Sequence, residues 1–314
     1  MDTNLKASLP VALQRDSTLI VPLAQGQSGA GVYRVDVAGA TYVLKLTTPA
    51  EPFEAWSRAV VTQRAAAAAG VAPAVVHVHD DTRAVLSDYV DGESFMALYG
   101  NPDTRTSAIA AVANTMRRIH ALPFDDEATT TDPQAYLCQL ALSAQTGGTI
   151  PGFVEDNLAT LLTSAPPEML DALVLSHNDA NPTNFVVAGE RVLLLDWQTA
   201  APNDRYYDLA TIAVFLRMDA AACLAMLSAY DQIPVHSLPP RFIWCLRMAA
   251  ALAGTSFLHL ARQRGHANAI NVAFANAPRL GDIYAQLRAG TLDMRSGAGQ
   301  WEFGLALHRA SCEF

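Results

Sequence analysis

One segment of the sequence, residues 176–200, restricts the possible folds more than any other part. It reads SHNDANPTNFVVAGERVLLLDWQTA. Two short β-like runs, at 185–187 and 192–195, predict a hairpin. Asparagine and aspartate are common in turns, but turn preference does not explain an acid directly after an apolar, buried strand. We therefore expect a loop and a hairpin to bring three oxygen-bearing side chains around one cavity: Asp179, Asn184 and Asp196.

The spacing of these side chains suits phosphoryl transfer. His177-x-Asp179, four further residues and Asn184 match the H-x-D-x-x-x-x-N catalytic loop of kinase-like phosphotransferases, and Asp196 matches their later metal-binding aspartate. This chemistry needs a carboxylate near the acceptor hydroxyl and separate oxygen ligands for magnesium. The spacing predicts Asp179 as catalytic base and Asn184 and Asp196 as magnesium ligands.

The segment resembles one family, the choline/ethanolamine kinases and aminoglycoside phosphotransferases, which are relatives of protein kinases. The resemblance rests on HNDANPTN, on LLDWQTA in place of D-F-G, and on DRYYDLA downstream. RRIHAL and VLSDYVDGES extend it over most of the chain. It implies that His177 and Asp208 support the catalytic loop through hydrogen bonds. Asp208 also lies at a predicted helix start, where it can act as a cap.

The N-terminal part agrees with this family. The stretch QGQSGAGVYR, residues 25–34, resembles its nucleotide loop, in which small residues let backbone N–H groups approach phosphates. The resemblance implies that Ser28, Gly29 and Ala30 bind the phosphates of ATP. It also implies that Lys45, in the apolar strand YVLKL, contacts the phosphates and takes part in catalysis. The simpler alternatives are that residues 25–34 form an ordinary hairpin connection and that Lys45 is a solvated lysine.

The family binds adenine at the link between its lobes, which here corresponds to Ser87–Val90. The implied contacts are Asp88, Tyr89 and Val90. One departure concerns the lysine, which in the family pairs with a glutamate from the following helix. No acid occurs between Glu54 and Asp80. Glu54 and Gln63 are the alternative partners for Lys45.

The periodicity predicts a small β-rich lobe followed by a larger helical lobe. Strands are expected at 31–37 and 41–46, a helix at 54–69, and helical patterns at 107–120, 134–143 and from 207 onward. Together with the resemblance, this predicts an α+β, two-lobed, protein-kinase-like fold. Residues 1–89 are the expected nucleotide-binding lobe, and residues 90–314 the helical catalytic and acceptor-binding lobe.

Composition excludes several classes of function. A net charge of −9 opposes nucleic acid as a partner, because phosphate binding needs clustered Lys and Arg. The apolar run 248–253 is too short to span a bilayer, and no signal peptide is visible, so we expect a cytoplasmic protein without a membrane partner. The four cysteines form no CxxC, which makes a thiolate metal site unexpected.

The expected acceptor is a small molecule with a hydroxyl group. Choline kinases hold a cationic amino alcohol with aromatic faces, and residues 242–262 resemble their Trp-bearing helices, so Trp244 is the candidate contact. An aromatic at helical spacing is also a common core residue. The alternatives are an aminoglycoside, another antibiotic or metabolite as acceptor, or a pseudokinase that serves as a binding module.

Overall fold

The computed structural model of the protein describes residues 3–23, 31–125, 130–146, 150–266 and 272–314. In chain order the helices and strands are α1 (Thr3–Ala7), β1 (Leu19–Pro22), β2 (Gly31–Val37), β3 (Ala40–Leu46), α2 (Phe53–Ala68), β4 (Val75–His79), β5 (Ala84–Asp88), β6 (Glu93–Ser94), α3 (Phe95–Gly100), α4 (Arg105–His120), α5 (Pro133–Thr146), α6 (Gly152–Thr163), β7 (Val174–Ser176), β8 (Phe185–Ala188), β9 (Arg191–Leu194), β10 (Ala201–Asn203), α7 (Arg205–Leu216), α8 (Ala220–Asp231), α9 (Pro240–Gln263), α10 (Leu280–Ala289) and α11 (Gly297–Glu313).

The chain forms two compact units, each built from two stretches of sequence. The first unit contains Met1–Pro123 and Pro182–Ala200, and the second contains Phe124–Asn181 and Ala201–Phe314. The expected lobe boundary after Tyr89 differs from this division. The first unit continues into α4 and the hairpin β8–β9, because α4 packs on β9 and the Thr115 hydroxyl donates to the carbonyl of Val192 at 3.3 Å.

A five-stranded antiparallel sheet forms the centre of the first unit, in the order β1-β2-β3-β5-β4. The predicted hairpin is present as β2–β3, with Gly31 opposite Leu46. Its tight turn has Ala38 at φ +52° and Gly39 at φ +80°. Glycine adopts this left-handed conformation without steric cost.

Helix α2 covers one face of this sheet. Its alanine-rich sequence favours a helix, and it ends before Gly70, which has a φ of +69° that favours glycine. Trp56 and Val60 are buried on its inner face and pack with Val85 of β5. The predicted helix, 54–69, is thus displaced by one residue from the observed one.

Helices dominate the second unit, in which α9 is the central element. Helices α5, α7 and α11 pack against it. Gly254 of α9 and Gly304 of α11 let the two helices pack closely, since a Cβ at Gly254 would lie 3.0 Å from the Gly304 carbonyl oxygen. By length and composition α9 is apolar enough to cross a membrane, but 61% of its most apolar window is buried inside the protein. Its packing is that of a core helix.

The predicted α+β class is confirmed: a small antiparallel sheet with one covering helix, and a larger helical portion. One pair of strands could not be predicted from the sequence pattern. The three-residue strands β7 and β10 pair antiparallel, with Ser176 opposite Ala201. Neither strand is long enough to show an alternation of apolar and polar residues, so only the fold reveals them.

Candidate active site

A pocket in the first unit brings together most residues that the sequence predicts for the nucleotide and the cation. Its volume is about 630 Å³, within the range of roughly 300–1,000 Å³ that is typical of ligand sites. Its walls are the sheet, α2, the segment after β5 and the hairpin β8–β9. Six predicted residues line it: Lys45, Asp88, Tyr89, Val90, Asn184 and Asp196. Three others lie outside the described residues: Ser28, Gly29 and Ala30.

Lys45 reaches this pocket because side chains alternate along β3. Its Cα pairs in register with Val32 of β2 and Val85 of β5, which also line the pocket. The preceding Leu44 points to the opposite face and is fully buried, as the two-residue period of a strand requires. Lys45 Nζ donates to Asp196 Oδ1 at 2.6 Å, with the two side chains 22% and 39% exposed. The lysine of an apolar strand therefore has a carboxylate partner.

Asp196 is presented by an unusual backbone conformation. Its φ is +64°, in the left-handed region, which costs most residues about 1–2 kcal/mol and which aspartate tolerates better than most. The flanking contacts hold it there. Trp197 Nε1 donates to the Leu194 carbonyl at 2.9 Å, and the Leu194 N–H donates to the Val71 carbonyl at 2.8 Å. The carboxylate is thus aimed into the pocket by a turn that its neighbours stabilise.

Asn184 lies beside Asp196 because the hairpin folds back on itself. It ends the 3-10 turn Pro182–Asn184, and its carbonyl accepts the Leu195 N–H at 2.9 Å. An amide oxygen and a carboxylate therefore line one pocket. Among the described residues no group of three or more His, Cys, Asp or Glu side chains could hold a metal. This donor set fits magnesium, which keeps several waters and takes one or two protein oxygens together with phosphates.

The segment that follows β5 is tied to the sheet by its backbone. The Asp88 N–H donates to the Ala74 carbonyl at 2.9 Å, and the Tyr89 N–H to the Thr41 carbonyl at 3.3 Å. Val90 follows and also lines the pocket. The two backbone bonds therefore fix the segment at the rim of the pocket.

Neither of the two expected lysine partners from α2 pairs with Lys45. Glu54 is exposed in the first turn of α2. Gln63 lines the pocket, but its Nε2 donates to the Ser87 hydroxyl at 3.0 Å. The charge on Lys45 is met by Asp196 instead.

The loop that carries Asp179 belongs to the second unit. Asp208, fully buried in the first turn of α7, accepts the His177 N–H at 2.7 Å and the Asn178 N–H at 2.8 Å. Charge-assisted bonds of this kind are among the stronger ones in proteins. Burial, and to a smaller extent the charges of Asp208 and Asp179, raises the pKa of Tyr207, so its phenol stays protonated. That His177 and Asp208 support the catalytic loop stays a prediction. The bonds from the His177 and Asn178 N–H groups to Asp208 are the ones that this prediction requires.

The helix cap is a different aspartate. Asp204 is the N-cap of α7, and its Oδ1 accepts the Tyr206 N–H at 2.8 Å. The interpretation of Asp208 as a cap is therefore wrong. An acid four residues before Asp208 in a polar stretch was the sequence signal for the true cap.

Asn178 is the residue of this loop that the sequence interpretation missed. It has a φ of +62°, a conformation that asparagine adopts more readily than most residues. Its amide donates to the Ala201 carbonyl at 3.2 Å and the Thr131 hydroxyl at 3.3 Å, and its Oδ1 accepts from Asn203 at 2.7 Å. Asn178 therefore joins β7, β10 and the Asp179 loop. Its position between His177 and Asp179 was the available signal.

Trp244, the candidate acceptor contact, lies in α9 and is 7% exposed. The guanidinium of Arg241 lies 4.6 Å from the centroid of its ring, and Arg241 Nε donates to Asp204 Oδ2 at 2.6 Å. The ring already has one cation on it, from the chain itself. Its contact with an acceptor stays a prediction.

Comparison with known proteins agrees with the site. The sequence profile of the phosphotransferase enzyme family matches residues 19–241, well over half of the chain. No curated protein matches the sequence. The profile includes all the site residues in the pocket and in the Asp179 loop.

Several solved structures share the fold. A choline/ethanolamine kinase family protein from Mesorhizobium loti covers 98% of this chain and 98% of its own, with a TM-score of 0.60 and 18% identity. An ethanolamine kinase of Plasmodium vivax covers 95% of this chain and 83% of its own, with a TM-score of 0.64 and 12% identity. A type VIII aminoglycoside-3′-phosphotransferase covers 76% of this chain and 95% of its own, with a TM-score of 0.55 and 21% identity.

The similarity to these solved structures establishes the fold. The match to the sequence profile establishes membership of the family. The lysine–aspartate pair of the pocket and the Asp208-bound loop occur within the matched residues. A choline kinase of Streptococcus pneumoniae and the ethanolamine kinase of Plasmodium vivax share the architecture. The chain therefore belongs to the phosphotransferase enzyme family.

Proposed function

We propose that the protein transfers the γ-phosphoryl group of ATP, with magnesium, to the hydroxyl of a small molecule, and that an amino alcohol such as choline or ethanolamine is the first candidate. The observation that carries this proposal is the ion pair of Lys45 and Asp196 in a pocket that Asn184 also lines. A cationic side chain suits the phosphates of a nucleotide, and two side-chain oxygens in the same pocket suit the metal bound to those phosphates.

Each residue has a role that its chemistry supports. Lys45 binds the phosphates as a point charge, and Asn184 and Asp196 hold magnesium, which when bound neutralises phosphate charge. Asp179 orients the acceptor hydroxyl and takes its proton. The oxygen–phosphorus bond to the acceptor forms as the bond to the leaving ADP breaks.

The backbone after β5 suits adenine. Because Asp88 and Tyr89 donate their N–H groups to Ala74 and Thr41, the N–H of Val90 is the donor of this stretch that we assign to the base. The carbonyls of the same stretch are the acceptors for the exocyclic amine. Apolar side chains complete the site for the ring: Leu23, Val32, Val43 and Val186.

The amino alcohol is supported by the similarity to the Mesorhizobium loti protein, which spans 98% of both chains. The net charge of −9 also favours cationic small molecules. An aminoglycoside is the second candidate, supported by the similarity to the type VIII enzyme. A third candidate is a pseudokinase that binds nucleotide without turnover. It is supported by the absence of a carboxylate on the described pocket face of α2.

A panel assay separates these candidates. ADP release with magnesium and ATP is measured for choline, ethanolamine, thiamine and aminoglycosides, and the phosphorylated product is identified by mass spectrometry. Turnover confined to amino alcohols supports the proposal, whereas turnover confined to aminoglycosides contradicts its acceptor. Nucleotide binding without turnover on any acceptor would identify a pseudokinase, and Asp179→Asn serves as the inactive control.

Trp244→Ala tests the acceptor contact. If the ring binds an ammonium, the KM of the acceptor rises by the equivalent of about 0.5–2 kcal/mol while that of ATP is unchanged. A core tryptophan behaves differently, because a large core deletion costs about 3–5 kcal/mol of stability. Steady-state kinetics and a thermal melt distinguish the two, and equal losses for both substrates with a lower Tm assign Trp244 to the core.

A further inference from the structure

The pocket face of α2 carries no acid. Four side chains at helical spacing line the pocket from this helix: Trp56, Ala59, Val60 and Gln63. They recur at intervals of three, one and three residues, so they form one face. The only acid of α2, Glu54, is exposed and does not line the pocket. Within the described part of the chain, Asp196 is the one side chain that bonds Lys45.

Gln63 and Lys45 line the same pocket, from α2 and from β3. Lys45 pairs in register with Val85 of β5, so Ser87, two residues further along β5, is its diagonal neighbour on the same face. Such neighbours lie about 7–8 Å apart, within reach of long side chains. Gln63 Nε2 donates to the Ser87 hydroxyl at 3.0 Å. A carboxylate at position 63 would therefore face the pocket that Lys45 also lines.

We infer that Lys45 and the divalent cation share one carboxylate, that of Asp196, because Gln63 is neutral. This inference rests on the proposed function and deepens it. The Lys45 ammonium lies 2.6 Å from Asp196 Oδ1. Its positive charge opposes a second cation on the same group. The cation therefore binds weakly until phosphates attract Lys45 away, and cation and nucleotide bind cooperatively and reciprocally.

Isosteric replacement of Gln63 tests this sharing. In Gln63→Glu the new carboxylate keeps a bond with Ser87, whose hydroxyl turns to donate, and it provides Lys45 with a second counter-ion. We expect the Kd of Mn²⁺ for the nucleotide-free protein, measured by electron paramagnetic resonance, to fall roughly fivefold or more. The factor by which ATP tightens Mn²⁺ binding should shrink correspondingly. Val61→Glu is the matched control, because Val61 lies on the same helix, is 64% exposed and receives the same charge.

A double-mutant cycle shows whether the new acid acts through the lysine. Lys45→Gln alone should tighten Mn²⁺ binding, since it removes the competing charge. In that background Gln63→Glu should add nothing. An equal gain with and without Lys45 would mean that the new carboxylate binds Mn²⁺ itself, and it would overturn the inference.

The remaining outcomes are equally decisive. A folded Gln63→Glu with unchanged Mn²⁺ affinity overturns the inference, as does Lys45→Gln with unchanged affinity if the first variant fails to fold. A gain in Val61→Glu equal to that in Gln63→Glu also overturns it. Because Mn²⁺ binding requires no turnover, failure of the acceptor panel with these responses intact removes the proposed function alone. Turnover on the panel without these responses removes only the shared carboxylate.

Discussion

The pocket of the first unit and the loop–helix junction of the second each contain an aspartate that ties a loop in place, but their partners differ. Asp196 is 39% exposed and is bonded to the side chain of Lys45. Asp208 is fully buried and accepts two backbone N–H groups. A lysine side chain can rotate away when a ligand arrives, whereas a backbone amide in a loop cannot. The exposed carboxylate can therefore exchange partners, and the buried one is committed to structure.

A buried cluster of polar side chains in the second unit shows the same link between burial and a structural role. His308 is fully buried, with its ring nitrogens at 3.2 Å from the Asn157 amide and 3.3 Å from the Thr255 hydroxyl. Ser311 bonds to Asn157 in the same cluster. Burial lowers the pKa of His308 to about 3, so the ring is neutral. Buried polar groups that bond to one another specify packing, and they do not take part in exchange with a ligand.

The largest effect is expected at Asp179, in the loop that Asp208 bonds. Asp179→Asn should reduce turnover by about 10²–10⁴-fold, the usual contribution of a general base. The affinity for nucleotide should be unchanged, because the loop bonds to Asp208 come from other residues. Turnover is measured with the preferred acceptor and nucleotide binding by fluorescence titration. Unchanged turnover with intact binding would remove Asp179 from the mechanism.

The two aspartates should differ in their contribution to stability. Asp208→Asn weakens buried, charge-assisted bonds and should lower the free energy of unfolding by about 1.5–3 kcal/mol. Asp196→Asn alters an exposed pair and should change it by about 0.5 kcal/mol or less. Urea unfolding of both variants measures the difference. Equal losses would show that burial does not separate the two carboxylates.

The neutral state of His308 gives the protein a pH-dependent stability. The unfolded chain protonates this imidazole near the ordinary histidine pKa of 6.5, whereas the folded pKa is about 3. Its contribution is complete above pH 6.5 and is lost as the pH falls from there toward 3, by about 1.4 kcal/mol per pH unit. His308→Gln should flatten this part of the stability curve, which urea unfolding at a series of pH values measures. Parallel curves for the two proteins would contradict the buried neutral state.

The effect on activity is expected to be smaller at Asn184 than at Asp179. Asn184→Ala removes one oxygen from a cation that keeps several waters, and the magnesium concentration for half-maximal activity should rise about tenfold, the equivalent of about 1.4 kcal/mol. Excess magnesium should restore most of the turnover. The same titration should not rescue Asp179→Asn, and if both variants respond identically the division of roles between Asp179 and Asn184 is wrong.

Local pattern alone predicts much of this molecule. Alternation along 31–46 and the small residues Gly39 and Gly70 account for the hairpin β2–β3 and for the end of α2. The predicted ends of α2 and α4 fall within two residues of the observed ones. These features depend on interactions between residues near in sequence, so the sequence contains the whole of their physical cause.

The partners of the key side chains depend on contacts between residues far apart in sequence. Lys45 and Asp196 are separated by 151 positions, and Gln63 and Ser87 by 24. The sequence by itself determined the types of residue, their spacing and the absence of an acid in α2 after Glu54. Only the tertiary structure decided that Lys45 pairs with Asp196 and that Gln63 turns to Ser87. The physical reason is that sheet register and helix packing, which set these distances, arise from the whole fold and from no local segment.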